Sequence, residues 1–200
     1  MNALAQFYES LVGKKIVMSV SGLFELFKVI LIASCGLLSC QKEGGTSTPI
    51  TLGQISTDAQ LFAFVTQTQP FTSYTLFPRA DSVTSGTLNG SIAHQPMVRV
   101  SMNPKALSAL PNDTLPAGTS FPDSSIILKQ IINSGQTTLY AIIYKDQNNP
   151  LAGNGWLWAE YQPDGGVMFS ITNRGSGCTA CHAREQGPQH DFVRTFERQR

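Results

Sequence analysis

The sequence predicts an α+β domain, in which a mainly antiparallel β-sheet has a helix at each end. Several segments of strand character follow one another at short intervals, and helical patterns precede and follow them. Short connections favour hairpins over parallel crossovers, which need a dozen or more residues. The chain has 200 residues, of which 42% are hydrophobic and 14% charged, so it can bury one core of ordinary size.

The predicted elements follow in chain order. A first helix over residues 57–67 can be capped by Thr57 and ends before Pro70. Residues 71–91 are rich in Thr, Ser and Gly and predict a long loop, and Asn103 starts a short helix through residue 110. Strands are predicted over residues 97–102, 124–131, 138–145, 156–161 and 167–172. The turn at 162–166 joins the last two as a hairpin.

Charge excludes one class of partner. The chain carries 14 basic and 13 acidic residues, a formal net charge of +1. A protein that binds nucleic acid through phosphates shows a clear basic excess. We therefore expect no nucleic-acid partner.

The N-terminal segment has the pattern of a secretory leader. Residues 27–40 read FKVILIASCGLLSC, a lysine, an apolar run and small residues before Cys40, which resembles a bacterial lipobox. Cys40 is thus the predicted lipid attachment site, with a leader over 1–40, a polar tether over 41–56 and a folded domain over 57–200. Cleavage before Cys35 and an uncleaved helix are the alternatives. The interpretation places the protein outside the cytoplasm, as a periplasmic or outer-membrane lipoprotein.

The motif that carries chemistry lies near the C-terminus. Cys178, Cys181 and His182 form CxxCH, the attachment pattern of c-type haem. Thiols three positions apart lie on one side of a helical turn and can form thioethers with the two vinyl groups of one porphyrin, while the imidazole ligates the iron. Zinc completed by His190 and a redox dithiol are the weaker alternatives. We predict one covalent haem c.

The sixth iron ligand is not evident from the motif. Candidate side chains are few: His94, Met97, Met102, Met168 and His190. The two methionines at 97 and 102 alternate with strand residues and are expected in the core. His190 lies too close to His182 in sequence to reach the opposite haem face, and His94 is expected to be a hydrogen-bonded loop histidine. We therefore expect a free sixth position.

Beyond residue 57 the chain resembles the cytochrome P-460 family, which includes the cytochromes c prime-beta. The resemblance rests on HQPMVRV at 94–100, WLWAEY at 156–161 followed by PDG, and CTACH at 178–182 followed by DFV at 191–193. It implies a mainly antiparallel fold, often dimeric, with one haem c packed on a sheet face. It also implies a small nitrogen oxide as ligand and a periplasmic redox partner.

The resemblance singles out Lys129. In the family's namesakes a lysine at this position is crosslinked to the porphyrin rim. The sequence itself makes Lys129 unusual, because it interrupts a strand that is apolar on both faces. The alternative is a lysine that extends to solvent at a sheet edge.

Family enzymes that oxidise hydroxylamine carry a distal carboxylate as general base. Here that position falls on Tyr140 or Ala141, and no Asp or Glu occurs from 124 to 144. Glu160 and Asp146 are the nearest downstream acids, and the family pattern does not place them over the iron. This favours an apolar distal pocket that binds nitric oxide, with an aromatic cap supplied by Phe71, Tyr74 and Phe77.

Three functions remain open. The favoured one is a cytochrome that binds nitric oxide. The second is a haem-dependent oxidoreductase acting on hydroxylamine, with a Lys129 crosslink and Tyr140 as the distal group. The third is an electron-transfer cytochrome, which needs a strong sixth ligand.

Overall fold

The computed structural model describes residues 55–185 and 190–200. The predicted leader, the lipid attachment site Cys40 and the tether up to residue 54 lie outside the described residues. Within the described part of the chain, no helix has the length and apolar character needed to cross a membrane.

The first helix begins where the sequence predicts. Helix α1 spans Asp58–Ala63 and continues as a π-helical turn, Phe64–Thr68. The Thr57 side chain accepts a hydrogen bond from the Gln60 N–H, and the Gln60 side chain accepts one from the Thr57 N–H. This reciprocal capping box fixes the start of the helix. The structure ends the helical segment before Pro70, as predicted.

Seven strands form one antiparallel sheet, which confirms the predicted α+β class. In chain order the strands are β1 Thr75–Leu76, β2 Thr84–Ser85, β3 Met97–Met102, β4 Ile126–Asn133, β5 Gln136–Lys145, β6 Trp156–Tyr161 and β7 Val167–Phe169. The spatial order is β1-β3-β4-β5-β6-β7, and β2 also pairs with β3. The central strands β4, β5 and β6 are consecutive in the chain, as expected for hairpins.

Three predicted segments differ from the structure in element type or by more than two residues. The segment 71–91, predicted as loop, contains β1 and β2, which are only two residues long. The return strand β7 ends at Phe169, because Ser170 caps a 3-10 helix, Ile171–Asn173. Helix α2, Pro104–Leu107, is capped by Asn103 as predicted but ends before residue 110. These are local turn effects that strand periodicity does not encode.

The two faces of the sheet bury different clusters. One face, here called the helix face, packs Leu128, Ile142, Leu157 and Tyr161 against Leu61 and Val65 of the N-terminal helical segment. The other, called the cavity face, carries Val100, Ile127, Ile143 and Trp158 and packs against Phe121, Val193 and Phe196. Alternation along each strand produces this division.

The two methionines of β3, Met97 and Met102, lie on different faces of the sheet. Met102 is fully buried in the core of the cavity face, as expected. Met97 is 38% exposed, so the expectation that it fills the core is wrong. It lies at the start of β3, where the helix-face residues Met97 and Arg99 are exposed.

Candidate functional site

A cavity lies on the cavity face, between the sheet and the C-terminal segments. Its floor is a row of residues paired across neighbouring strands, in which Lys129 lies opposite Ala141, Ala141 opposite Glu160, and Glu160 opposite Phe169. All four residues line the cavity. Because Ala141 carries only a methyl group, it leaves room between the longer side chains of Lys129 and Glu160.

The short helix α3, Cys178–His182, forms one wall of this cavity. Cys178, Cys181 and His182 all line it, and both thiols are free. Gly175 has a positive φ of +71°, and a Cβ there would lie 2.5 Å from Trp158 Cδ1, so glycine is required for the chain to reach this wall. Burial, with a smaller effect from Glu160, raises the pKa of the Cys178 thiol to about 11.

The His182 ring is held in one tautomer. Its Nδ1 lies 2.6 Å from the Phe192 carbonyl oxygen, which can only accept, so Nδ1 carries the proton and Nε2 keeps its lone pair. Trp158 packs edge-on, with ring centroids 4.8 Å apart. Burial, and then the Lys129 charge, lowers the pKa of His182 to about 3. A neutral imidazole with a free Nε2 is the form that ligates metals.

A chain of polar side chains crosses the cavity. Lys129 Nζ lies 3.1 Å from His94 Nδ1, and His94 Nε2 lies 3.2 Å from Glu160 Oε1. The carboxylate accepts from Nε2, which leaves Nδ1 to accept from the lysine. Burial and the Arg198 charge lower the pKa of Lys129 to about 8, and burial with the Lys129 charge lowers the pKa of His94. The His94 ring is thus neutral and bonded at both nitrogens.

Two arginines from the 3-10 helix Arg194–Arg198 complete the lining. Arg194 donates to Glu197 at 2.7 Å and to the sulfur of Cys181 at 3.3 Å. The Arg198 guanidinium donates to the carbonyls of Ser85 and Gly86, while its buried Nε has no partner among the described residues. This corner of the cavity therefore suits an anionic group.

The structure brings four of the five predicted domain site residues together: Lys129, Cys178, Cys181 and His182 line one cavity. It does not bring Tyr140 there. Tyr140 lies on the helix face, with its ring centroid 5.1 Å from that of Phe71. The pairing places Ala141, not Tyr140, opposite Lys129.

The expected aromatic cap is not formed. Phe71 and Tyr74 pack against the helix-face cluster. Phe77 lies in the core of the cavity face against Phe196, at 5.0 Å between ring centroids, and does not line the cavity. The aromatic side chains on the lining are Trp158 and Phe169.

Sequence reasoning names Glu160 and His94 but does not place either of them in the cavity. The family pattern does not place Glu160 over the iron, and His94 is expected only as a hydrogen-bonded loop histidine. Strand alternation carried a usable signal, because Glu160 shares a face with Trp156 and Trp158 in β6. Nothing in the sequence around His94 specifies its contact with Lys129, since a loop brings it there.

The structure also shows where the five candidates for the sixth iron ligand lie relative to the cavity. No methionine occurs among the described lining residues of the cavity. Met168 is 59% exposed, and His190 stacks on Phe196 at 4.2 Å without lining the cavity. Only His94 of the five candidates lines it, and both of its ring nitrogens are engaged.

The chain is similar to one family of known proteins. The family model described as Cytochrome P460 matches residues 79–195, more than half of the chain. No match was found among curated proteins. The matched range contains the CxxCH helix, Lys129, His94 and Glu160. The chain therefore belongs to the cytochrome P460 family of haem-binding cytochromes.

Proposed function

We propose that this protein is a mono-haem c-type cytochrome that binds a small nitrogen oxide, nitric oxide first, at an open iron position. The observation that carries the proposal is the shared cavity of Cys178, Cys181 and His182. The residues present fit the group: two free thiols, an imidazole with a free Nε2, apolar walls, and a buried Arg198 Nε suited to a haem carboxylate. When bound, haem supplies the redox-active iron.

The surroundings of His182 favour a free sixth position. Among the described lining residues only His94 could serve as a second imidazole ligand, and it is held between Lys129 and Glu160. An electron-transfer cytochrome needs a strong internal sixth ligand. The small Ala141 leaves space above the floor instead, which suits a ligand of two or three heavy atoms.

Absorption spectra of the matured full chain test this proposal. We expect high-spin, five-coordinate ferric and ferrous spectra that change when nitric oxide is added. A Cys178→Ala, Cys181→Ala double variant should lack covalent haem by mass spectrometry and serves as the control. A low-spin spectrum indifferent to nitric oxide would contradict the proposal and favour electron transfer.

A second candidate, hydroxylamine oxidation, is favoured by one observation: Glu160 lines the cavity and is hydrogen-bonded to His94. Hydroxylamine releases protons as it loses electrons, and a carboxylate at the site accepts protons as a general base. The electrons would pass to an external redox partner. Lys129, whose pKa is lowered to about 8 by burial, has a neutral, nucleophilic fraction at mild pH that suits a crosslink to the porphyrin rim. Such a crosslink would replace an N–H and a C–H bond by one N–C bond and release two electrons and two protons, so it would need an external two-electron oxidant such as a peroxide.

Glu160→Gln separates the two candidates. If hydroxylamine is the substrate, we expect turnover to fall by about 10²-fold or more while nitric oxide binding is kept. Asp146→Asn is the control, because Asp146 is a buried acid outside the cavity lining. Equal turnover in Glu160→Gln and wild type would exclude this role.

We further propose that Cys40 carries a lipid that holds the domain outside the cytoplasm, where haem c is attached. Cys40→Ala should give an unprocessed precursor without incorporated lipid label, and Cys35→Ala should mature normally. Lipid label on Cys35 in the mature chain would overturn the assignment. A homodimer and a periplasmic redox partner remain predictions, and light scattering of the matured protein tests the first.

A further inference from the structure

Two consecutive residues that follow helix α3 adopt an unusual backbone conformation. Asp191 and Phe192 have φ values of +54° and +67°. L-residues avoid this left-handed region, because Cβ approaches the following carbonyl oxygen. Aspartate tolerates it, but phenylalanine has no local polar group to compensate. Neighbouring groups must therefore hold this segment in place.

A buried ion pair anchors the first of these residues. Lys145 Nζ lies 2.9 and 2.8 Å from the two carboxylate oxygens of Asp191, and their side chains are only 3% and 10% exposed. The carboxylate also accepts the Phe121 N–H at 2.9 Å. Trp156 donates its indole N–H to the Asp191 carbonyl at 3.0 Å, and Lys145 Nζ lies 4.8 Å from the Trp156 ring. Side chain and main chain of Asp191 are thus both fixed.

The second residue faces the predicted iron ligand. The Phe192 N–H donates to Glu185 Oε1 at 3.2 Å, and the Phe192 carbonyl accepts from His182 Nδ1 at 2.6 Å. The orientation of this carbonyl depends on the backbone angles of residues 191 and 192. The ion pair that holds Asp191 therefore also determines the hydrogen bond at Nδ1.

We propose that Lys145 and Asp191 are positioning residues for His182. They hold the Phe192 carbonyl against Nδ1–H and so set the donor strength of Nε2 toward the haem iron. A short hydrogen bond at Nδ1 gives the imidazole more imidazolate character and makes it a stronger ligand, which lowers the reduction potential. This inference rests on the proposed haem attachment at Cys178, Cys181 and His182.

Resonance Raman spectroscopy of the ferrous matured protein tests the proposal through the iron–histidine stretching frequency. Two variants weaken the anchor. Asp191→Asn keeps an oxygen for the Phe121 N–H and a residue that tolerates positive φ, but removes the charge that Lys145 requires. Lys145→Met removes the cation. We expect a lower stretching frequency and a higher reduction potential in both variants than in wild type.

Asp58→Asn is the matched control. Asp58 is a half-buried carboxylate on the helix face that likewise accepts a main-chain N–H, from Ile171 at 3.0 Å, and a side-chain donor, Ser170 Oγ at 2.6 Å. The substitution should lower stability and leave the iron–histidine frequency and the potential unchanged. If a general loss of stability alone shifted the iron–histidine frequency or the reduction potential, the Asp58→Asn variant would show the same shift.

The outcomes are distinguishable. A wild-type protein without covalent haem by mass spectrometry would overturn the haem attachment and the positioning role together. Attached haem without an iron–histidine band would overturn the open iron position, and an unchanged reduction potential in both variants would then overturn the positioning role. A wild-type band that stays unchanged in Asp191→Asn and Lys145→Met would overturn the positioning role alone. If either single variant fails to fold because a buried charge is left unpaired, the double variant removes both charges and should show the same lower frequency.

Discussion

The two faces of the central sheet use the same strands for different purposes. On the helix face, Leu128, Ile142 and Leu157 are almost fully buried beneath the N-terminal helical segment. On the cavity face, Lys129 and Glu160 occupy the equivalent inward positions, and a hollow remains above Ala141. Neighbours in sequence, such as Leu128 and Lys129, thus have opposite surroundings.

The difference shows that the helix face contributes more to the stability of the domain than the cavity face does. Burying a charged group costs free energy unless it is paired, and a hollow forfeits packing contacts. A face that served folding alone would carry apolar residues in place of Lys129 and Glu160. The helix face follows the local rules of burial, and the cavity face departs from them at Lys129 and Glu160. This contrast supports the binding role that we propose for the cavity face.

The largest effect is expected from removing His182, the proposed iron ligand on the cavity face. His182→Ala should abolish the native iron spectrum of the matured protein, because no other described residue on that wall offers an imidazole. Absorption spectroscopy measures the change, and far-UV circular dichroism should still report the sheet. A native spectrum in His182→Ala would show that the iron is held elsewhere.

A large loss of stability is expected from the helix face. Leu128→Ala removes a fully buried side chain from a filled core, so the free energy of unfolding should fall by about 2–5 kcal/mol. Denaturant unfolding measures it. The haem spectrum should be unchanged, because the side chain points away from the cavity. A loss below about 1 kcal/mol would show that the helix face is loosely packed.

Many features of the fold and of the candidate site could be predicted from the sequence. Strand periodicity predicted β3 and β6 at their observed bounds and β4 and β5 to within two residues, and CxxCH predicted the helical turn that carries Cys178 and His182. Such features are local, so the pattern of a few residues determines them. The interruption of β4 by Lys129 also marked the position that faces the cavity.

The rest depends on contacts between distant segments. The pairing register of β4, β5 and β6 places Glu160 two strands from Lys129 and turns Tyr140 away, and a one-residue shift would have exchanged Tyr140 and Ala141. The anchor at Asp191 joins residues 46 positions apart in sequence. Periodicity within one segment contains no information about either.

A smaller loss of stability is expected at the start of α1, the helix that packs on the helix face. Thr57→Ala removes the side-chain oxygen that caps α1, which should lower the free energy of unfolding by about 1 kcal/mol. Thr57→Ser keeps the cap and is the control. Thermal or denaturant unfolding of the three proteins measures the difference. Equal stability of the alanine and serine variants would show that tertiary packing alone holds the helix.

The smallest change in stability is expected from a substitution of Lys129, which is next in sequence to Leu128, where a large loss is expected. Lys129→Leu relieves the burial of a charge but leaves His94 Nδ1 without its donor, and these opposing effects should leave the free energy of unfolding within about 1 kcal/mol of wild type. Leu128→Lys, the reverse exchange on the helix face, should destabilise the fold more than Leu128→Ala does, because it buries a charge in a filled core. Denaturant unfolding of the three variants gives the ranking. A Lys129→Leu variant as unstable as Leu128→Ala would mean that Lys129 stabilises the fold. The proposed distinction between a helix face that stabilises the domain and a cavity face that binds a ligand would then be wrong.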